Sequence, residues 1–336
     1  MKTVRKIARK VSLGAAAGLA ALGLGACTGN TLDSFVAPDD QIIIVTPEVS
    51  QYAREEELLS RLSLILDTRA KDATARAELF YQLGLIYDSI GMSLTARAMF
   101  MNSMVQDVNY AKPYNFVGIY FFQEGNFQDA MEAFDAALEL DPDDRYINFS
   151  RALILYYANR AGTALKDIEK FYEADKDDPY RILWYYFIER EVLGREKAMA
   201  NFSHRYEIAE KKEEHRFGFV LISMYLGKVR EDDLFYVLRD ETLDSKTRNE
   251  MLCEAYFYLA KKKLEQNDLR LAYDYFKLCL TTRVYGFLEY RYASREIKDI
   301  ETQYAKMNKS LKPGKKEEEK GVDIEARATQ GDAGAE

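Results

Sequence analysis

A pattern of small and aromatic residues recurs in this chain at a spacing of 34, and few features restrict a fold more tightly. With Ala77 as the first position of a unit, Phe80, Leu83, Gly84, Tyr87, Ala96 and Phe100 mark packing positions, and Gly91 falls between two apolar-periodic stretches. A shift of 34 brings Tyr114, Val117, Gly118, Phe121, Ala130, Phe134, Ala137 and Pro142 to the corresponding places, with Gly125 where Gly91 stood. The reason is steric. A small residue at the eighth and twentieth positions lets two antiparallel helices approach closely, while aromatic rings fill the space between successive units. One pair cannot bury its apolar face alone, so such units must stack.

This is the tetratricopeptide pattern, and it predicts an all-α fold: a tetratricopeptide-repeat helical array, a right-handed superhelix of antiparallel helix pairs with a concave groove. A third copy from Arg145 keeps the phase with weaker side chains, Ala152, Leu155, Ala164 and Ile168, and ends at Asp178-Pro179. Another unit starts near Cys253 with Tyr256, Leu259, Ala260, Asn267, Ala272 and Phe276, out of register by six residues. The expected organisation is therefore three repeats over 77–178, degenerate helical repeats over 179–252, and a repeat-like unit with a capping helix over 253–306. A capping or dimerisation helix is expected within 47–76, with Leu58, Leu62, Ile65 and Leu66 on one stripe. From 307 to 336 Lys, Glu, Gly and Ala dominate, the composition of a disordered tail.

The N-terminus has the parts of an export leader. Lys2, Arg5, Lys6, Arg9 and Lys10 precede an apolar run that ends at Leu24-Gly25-Ala26-Cys27. That run is too short to span a bilayer, and small residues precede the cysteine where a peptidase binds extended backbone. Residues 1–26 thus read as a lipoprotein signal peptide, and Cys27 as the attachment site of a diacylglycerol and an amide-linked acyl chain, with no other cofactor expected. Residues 27–46 read as a lipid-anchored tether, polar apart from the apolar patch Ile42-Ile43-Ile44-Val45 and with few helix formers. Loss of the five leader cations takes the formal charge from −8 to −13, which argues against nucleic-acid binding. After lipidation only Cys253 and Cys279 remain, and helix packing is the favoured role over a disulfide.

Beyond the generic repeat residues, Leu85-Ile86-Tyr87-Asp88-Ser89-Ile90-Gly91, Gly118-Ile119-Tyr120 with Gly125-Asn126-Phe127, Glu132-Ala133-Phe134-Asp135 with Leu138-Glu139-Leu140-Asp141-Pro142, and Glu289-Tyr290-Arg291-Tyr292-Ala293 are distinctive. In these stretches the chain resembles the NlpI-type tetratricopeptide lipoproteins of Gram-negative bacteria, over about Glu55 to Ile297. The resemblance implies a homodimer anchored at the periplasmic face of the outer membrane, without chemistry of its own. It also implies partners: a tail-specific periplasmic protease, the peptidoglycan endopeptidases presented to it for degradation, and cell-wall synthases. Resemblance to enterobacterial lipoproteins implies that the lack of Asp directly after Cys27 permits export to the outer membrane. The long basic leader and the charged tail after Lys312 depart from the family pattern.

An enzyme needs a constellation, and the sequence offers little to build one. His204 and His215 are the only histidines, and the acidic residues around them read as a solvated helix face with no metal site. No phosphate-binding glycine loop is present, since Gly84, Gly91, Gly118 and Gly125 are explained by packing and turns. On repeat geometry the concave wall is expected to present Tyr81, Leu85, Asp88, Lys112, Asn115, Ile119, Phe122, Gln123, Tyr146 and Phe149. These side chains suit an extended peptide or a helix, but not the Lys and Asn arrangement that clamps a C-terminal carboxylate. The expected function is a lipid-anchored adaptor, with an assembly-complex lipoprotein as the alternative and a glycan-active enzyme as a third possibility.

Overall fold

The turns carry the repeat. Gly91, Gly125, Asn159, Gly194, Gly227 and Asn267 all adopt left-handed backbone, at intervals of 34, 34, 35, 33 and 40 residues. Glycine and asparagine tolerate that conformation best, so each ends one helix and reverses the chain into the next. The computed structural model describes residue 32 and residues 35–45, 49–68 and 72–311. The expected leader and lipid-attachment residue Cys27, and the tail beyond residue 311, lie outside the described residues. Leu32–Ala305 form one unit; of the other, Met1–Thr31 with Lys306–Glu336, only the end of the last helix is described.

Fourteen α-helices are present among the described residues: α1 (Val49–Thr68), α2 (Ala73–Ser89), α3 (Ser93–Gln106), α4 (Ala111–Gln123), α5 (Phe127–Leu140), α6 (Arg145–Tyr157), α7 (Ala161–Glu173), α8 (Pro179–Leu193), α9 (Arg195–Ile208), α10 (Arg216–Tyr225), α11 (Glu231–Leu238), α12 (Ser245–Glu265), α13 (Leu269–Thr281) and α14 (Leu288–Leu311). The aspartates that precede α2, α6, α8, α12 and α13 cap them, each accepting backbone N–H groups of the first turn, as Asp144 does from Tyr146 and Ile147. Pro179 opens α8, where a missing N–H costs nothing.

Within each pair the small residues do what their size allows. A Cβ on Gly118 would lie 2.8 Å from Cζ of Phe134, and one on Gly84 would strike the Phe100 ring. Ala96, Ala130, Ala164 and Ala272 are wholly buried beneath Phe100, Phe134, Ile168 and Phe276 at the matching later position. Ala130→Leu should overpack this contact and lower stability by about 1–3 kcal/mol, measured by thermal melting. An unchanged melting temperature would show that the two helices do not need the small side chain.

The region read as degenerate keeps more of the pattern than its sequence advertises. Ala198 and Phe202 of α9 are fully buried and stand 34 residues beyond Ala164 and Ile168. The signature is hidden because Tyr186 occupies the place of the small residue on α8. Its ring packs on Phe202 with centroids 4.6 Å apart, so this pair is spaced by aromatics.

Two segments depart from the sequence expectation. Residues 35–45, read as part of a free tether, are bound to the C-terminal helix pair. Val36 and Ala37 N–H donate to the buried Asp274 carboxylate at 2.5 and 3.1 Å, Ile43 N–H donates to the Tyr256 hydroxyl at 2.9 Å, and Arg270 donates to the Leu32 carbonyl at 3.0 Å. A short turn at Asp39–Gln41 places Gln41 against Tyr256, Tyr275 and Asp232. The strap is held through its backbone N–H and carbonyl groups and the Gln41 side chain, while Ile42, Ile43 and Val45 pack against the core. The second departure is α14, which is no end cap. It lies along the inner side of the array and continues to Leu311, past the point where the disordered tail was expected.

The contacts of α14 reach the first helix of several pairs. Arg291 pairs with Asp88 of α2, Tyr292 stacks on Tyr157 of α6 at 4.7 Å, and Tyr258 of α12 donates to Glu289 at 2.9 Å. Glu296 accepts from Tyr157 at 2.9 Å and from the buried ammonium of Lys261 at 2.6 Å. Cys253 and Cys279 meet where α12 crosses α13, buried and unbridged with Sγ atoms 3.6 Å apart.

Candidate functional site

Helix α14 fills part of the concave side, and two openings lie beside it. The larger, about 1150 Å³, is walled by α2, α4, α6 and the loop at Pro142–Asp144, with Leu288, Arg291 and Tyr292 of α14 opposite. Eight of the expected groove residues line it: Tyr81, Leu85, Asp88, Lys112, Asn115, Ile119, Tyr146 and Phe149. Phe122 and Gln123 do not. They border a second opening of about 520 Å³ between the Gly91 and Gly125 turns and α14. The Phe122 ring is buried, with the Arg295 guanidinium 5.4 Å from its centroid, which corrects the expectation that it faces a partner. A helix packed into the groove covers it, and repeat spacing alone carries no sign of that helix. Sequence reasoning also missed Phe116, Arg291 and Tyr292 as wall residues; the one available signal was the distinctive Glu289–Ala293 stretch.

The larger cavity has an aromatic floor. Phe149 stacks on Phe171 with centroids 4.1 Å apart, Tyr81 meets Tyr110 and Phe116 edge-on, and Lys112 lies 6.0 Å above the Tyr81 ring. Tyr146 stands 56% exposed at the rim. Into this floor the Asn115 side chain, buried on α4, brings a carbonyl oxygen with no hydrogen-bond partner among the described residues. Such an acceptor is costly unless a donor reaches it.

The tyrosine hydroxyls here are held protonated. Burial pushes the Tyr81 hydroxyl up to about 12, with Asp144 and Glu78 adding to the effect. Burial likewise raises Tyr120, and Asp88, which accepts its hydroxyl hydrogen, raises it further. These phenols stay neutral and act as donors or walls rather than as bases. His204 lies in α9 and His215 in the turn Glu213–His215, so no continuous helix carries both. Among the described residues there is no group of three or more His, Cys, Asp or Glu that could hold a metal, and no helix long and apolar enough to cross a membrane.

The array and its groove define a class. Residues 111–144, the α4–α5 unit, match the tetratricopeptide repeat family. A tetratricopeptide repeat protein from Parabacteroides merdae ATCC 43184, known from a crystal structure, is similar at a TM-score of 0.44 and 14% identity, over 75% of this chain and 94% of that one. The chain is a tetratricopeptide-repeat protein, an all-helical scaffold of the kind that mediates protein interactions.

Proposed function

We propose that the larger cavity binds an extended stretch of a partner polypeptide and that the chain acts as an adaptor, bringing partners together without chemistry of its own. The observation that carries this reading is the aromatic-walled cavity of about 1150 Å³, lined by Tyr81, Phe149 and the exposed Tyr146. An extended peptide suits such a site, since it can lay apolar side chains against Tyr81, Phe149 and Tyr146. In its finer form, the protein is a lipoprotein anchored through Cys27 at the periplasmic face of the outer membrane. There it binds a tail-specific protease and presents peptidoglycan hydrolases for degradation, so regulating cell-wall remodelling. The leader, Cys27 and the family resemblance support that form. Adaptors act by raising the effective concentration of substrate beside an enzyme, a task needing contacts but no catalytic groups.

The test is kinetic. The protein lacking residues 1–27 should shorten the half-life of a cell-wall endopeptidase incubated with its cognate tail-specific protease, and should cleave neither the endopeptidase nor peptidoglycan alone. Tyr146→Ala should weaken the acceleration several-fold while leaving helicity intact, since Tyr146 lines the cavity and is exposed. Equal half-lives with and without the protein would remove the adaptor reading in favour of a structural lipoprotein of an assembly complex.

A further inference from the structure

The smaller opening differs from the rest of the molecule in charge. The chain carries a formal net charge of −8, yet α14 turns three cations, Arg291, Arg295 and Lys298, into this one cleft at helical spacings of four and three. The acidic residues that share the lining are already engaged. Asp88 accepts from both Arg291 and Tyr120, and Glu124 is paired with Arg97. Arg295 has a partner in Asp299 at 3.0 Å, on its own helix and partly exposed. Lys298 is exposed and has no ion pair among the described residues. The cleft is therefore left with uncompensated positive charge. Its walls are aromatic as well: Tyr285 and Tyr290 meet edge-on at 5.0 Å, and Phe122 closes the inner side.

The two openings are neighbours. Asp88, Ile119, Arg291 and Tyr292 line both, so the Arg291–Asp88 ion pair forms the partition between them. A polypeptide whose apolar side chain lies against Tyr81 and Phe149 would pass this partition and meet the cationic cleft next. We infer that the cleft is the acid-selective end of the peptide groove: it takes a carboxylate, as an Asp or Glu side chain or a C-terminus, carried by the same partner peptide whose apolar residue fills the larger cavity. Charge complementarity selects this occupant. A carboxylate can accept charge-assisted hydrogen bonds from Lys298 and the outer edge of Arg295, while the peptide backbone lies on the tyrosine faces. The inference rests on the peptide-binding reading above and specifies the ligand. It also differs from the carboxylate clamp that the sequence argued against, because its cations come from the C-terminal helix and not from the repeats.

Random peptides of about ten residues, long enough to span some 33 Å when extended, can be displayed on phage and selected on the full-length protein. Recovered sequences should combine an aromatic or aliphatic residue with an acidic group at a fixed spacing. One recovered peptide, synthesised with Asp and with Asn at that position, should bind about tenfold more tightly in the acidic form, with the difference shrinking as salt is raised. Lys298→Glu and Arg295→Gln should each reduce that ratio toward one. Should Arg295→Gln fail to fold, the exposed Lys298→Glu decides the matter. Equal affinity for the two peptides, or an acidic preference that survives Lys298→Glu, would overturn the inference and leave peptide binding standing. Failure to recover any binding peptide would overturn both.

Discussion

Replacing Trp184 with alanine should destabilise the protein by about 3–5 kcal/mol, the range for removing a large ring from a closed core. The side chain is fully buried on α8, and its ring centroid lies 5.6–6.5 Å from those of Phe149, Tyr156, Tyr157, Phe187, Phe257 and Tyr292. Those neighbours belong to α6, α8, α12 and α14, so the cavity would open where four helices meet. Melting should be followed by circular dichroism, because Trp184 is the only tryptophan and its fluorescence disappears with it. For a chain of this size the expected fall is about 4–9 °C, and a fall below about 2 °C would contradict the packing described. Trp184→Phe should cost much less. The indole N–H is buried without a partner, so phenylalanine removes an unsatisfied donor together with part of the ring.

The second large effect concerns the ion pair inside the array. Lys261 is 5% exposed; its ammonium donates to Glu296 at 2.6 Å and to the Tyr156 hydroxyl at 3.0 Å, between the rings of Tyr157 and Phe187. Burial alone would lower its affinity for a proton, but Glu296 and Tyr156 outweigh that and push the ammonium above the usual lysine range. Lys261→Ala should therefore cost about 3–5 kcal/mol, most of it from leaving the Glu296 carboxylate buried and uncompensated. Lys261→Met with Glu296→Gln should recover most of the loss, because the amide still accepts from Tyr157 and no charge remains. If the double variant is no more stable than Lys261→Ala in urea melts, the orphaned carboxylate is not the origin of the cost.

What could be read from the residues follows from the range of the interactions involved. Gly84 and Gly118, Ala96 and Ala130, Phe100 and Phe134 act within a single helix pair, so their spacing carried the architecture directly. The unit at α8–α9 was obscured because Tyr186 replaces a small residue, and only the packed partner, Phe202, explains how that is accommodated. The candidate groove was legible in its repeat-borne part: Tyr81, Leu85, Lys112, Asn115, Tyr146 and Phe149 share one cavity. Its other wall could not be read. Arg291 meets Asp88 across 203 residues, and the strap meets Asp274 across more than 230. No periodicity reports a contact at that separation, and the strap reads as a tether until the carboxylate and hydroxyls that bind its backbone are in place.

The separation of Arg291 from Asp88 also has a consequence for how the protein is made. Ribosomes add about 5–20 residues per second, so the 203 residues between these partners take roughly 10–40 s to appear. Throughout that interval the early helix pairs can form, since their contacts are local, but Phe122, Tyr157 and Trp184 lack the helix that finally shelters them. The nascent chain therefore carries an open aromatic channel until almost the last segment is translated. Holdase chaperones should associate with chains in which α14 is not yet in place, whether at the ribosome or after export as an unfolded chain, and leave once Leu288–Ala305 has docked. Docking of α14, rather than helix formation, then sets the moment at which the aromatic channel closes.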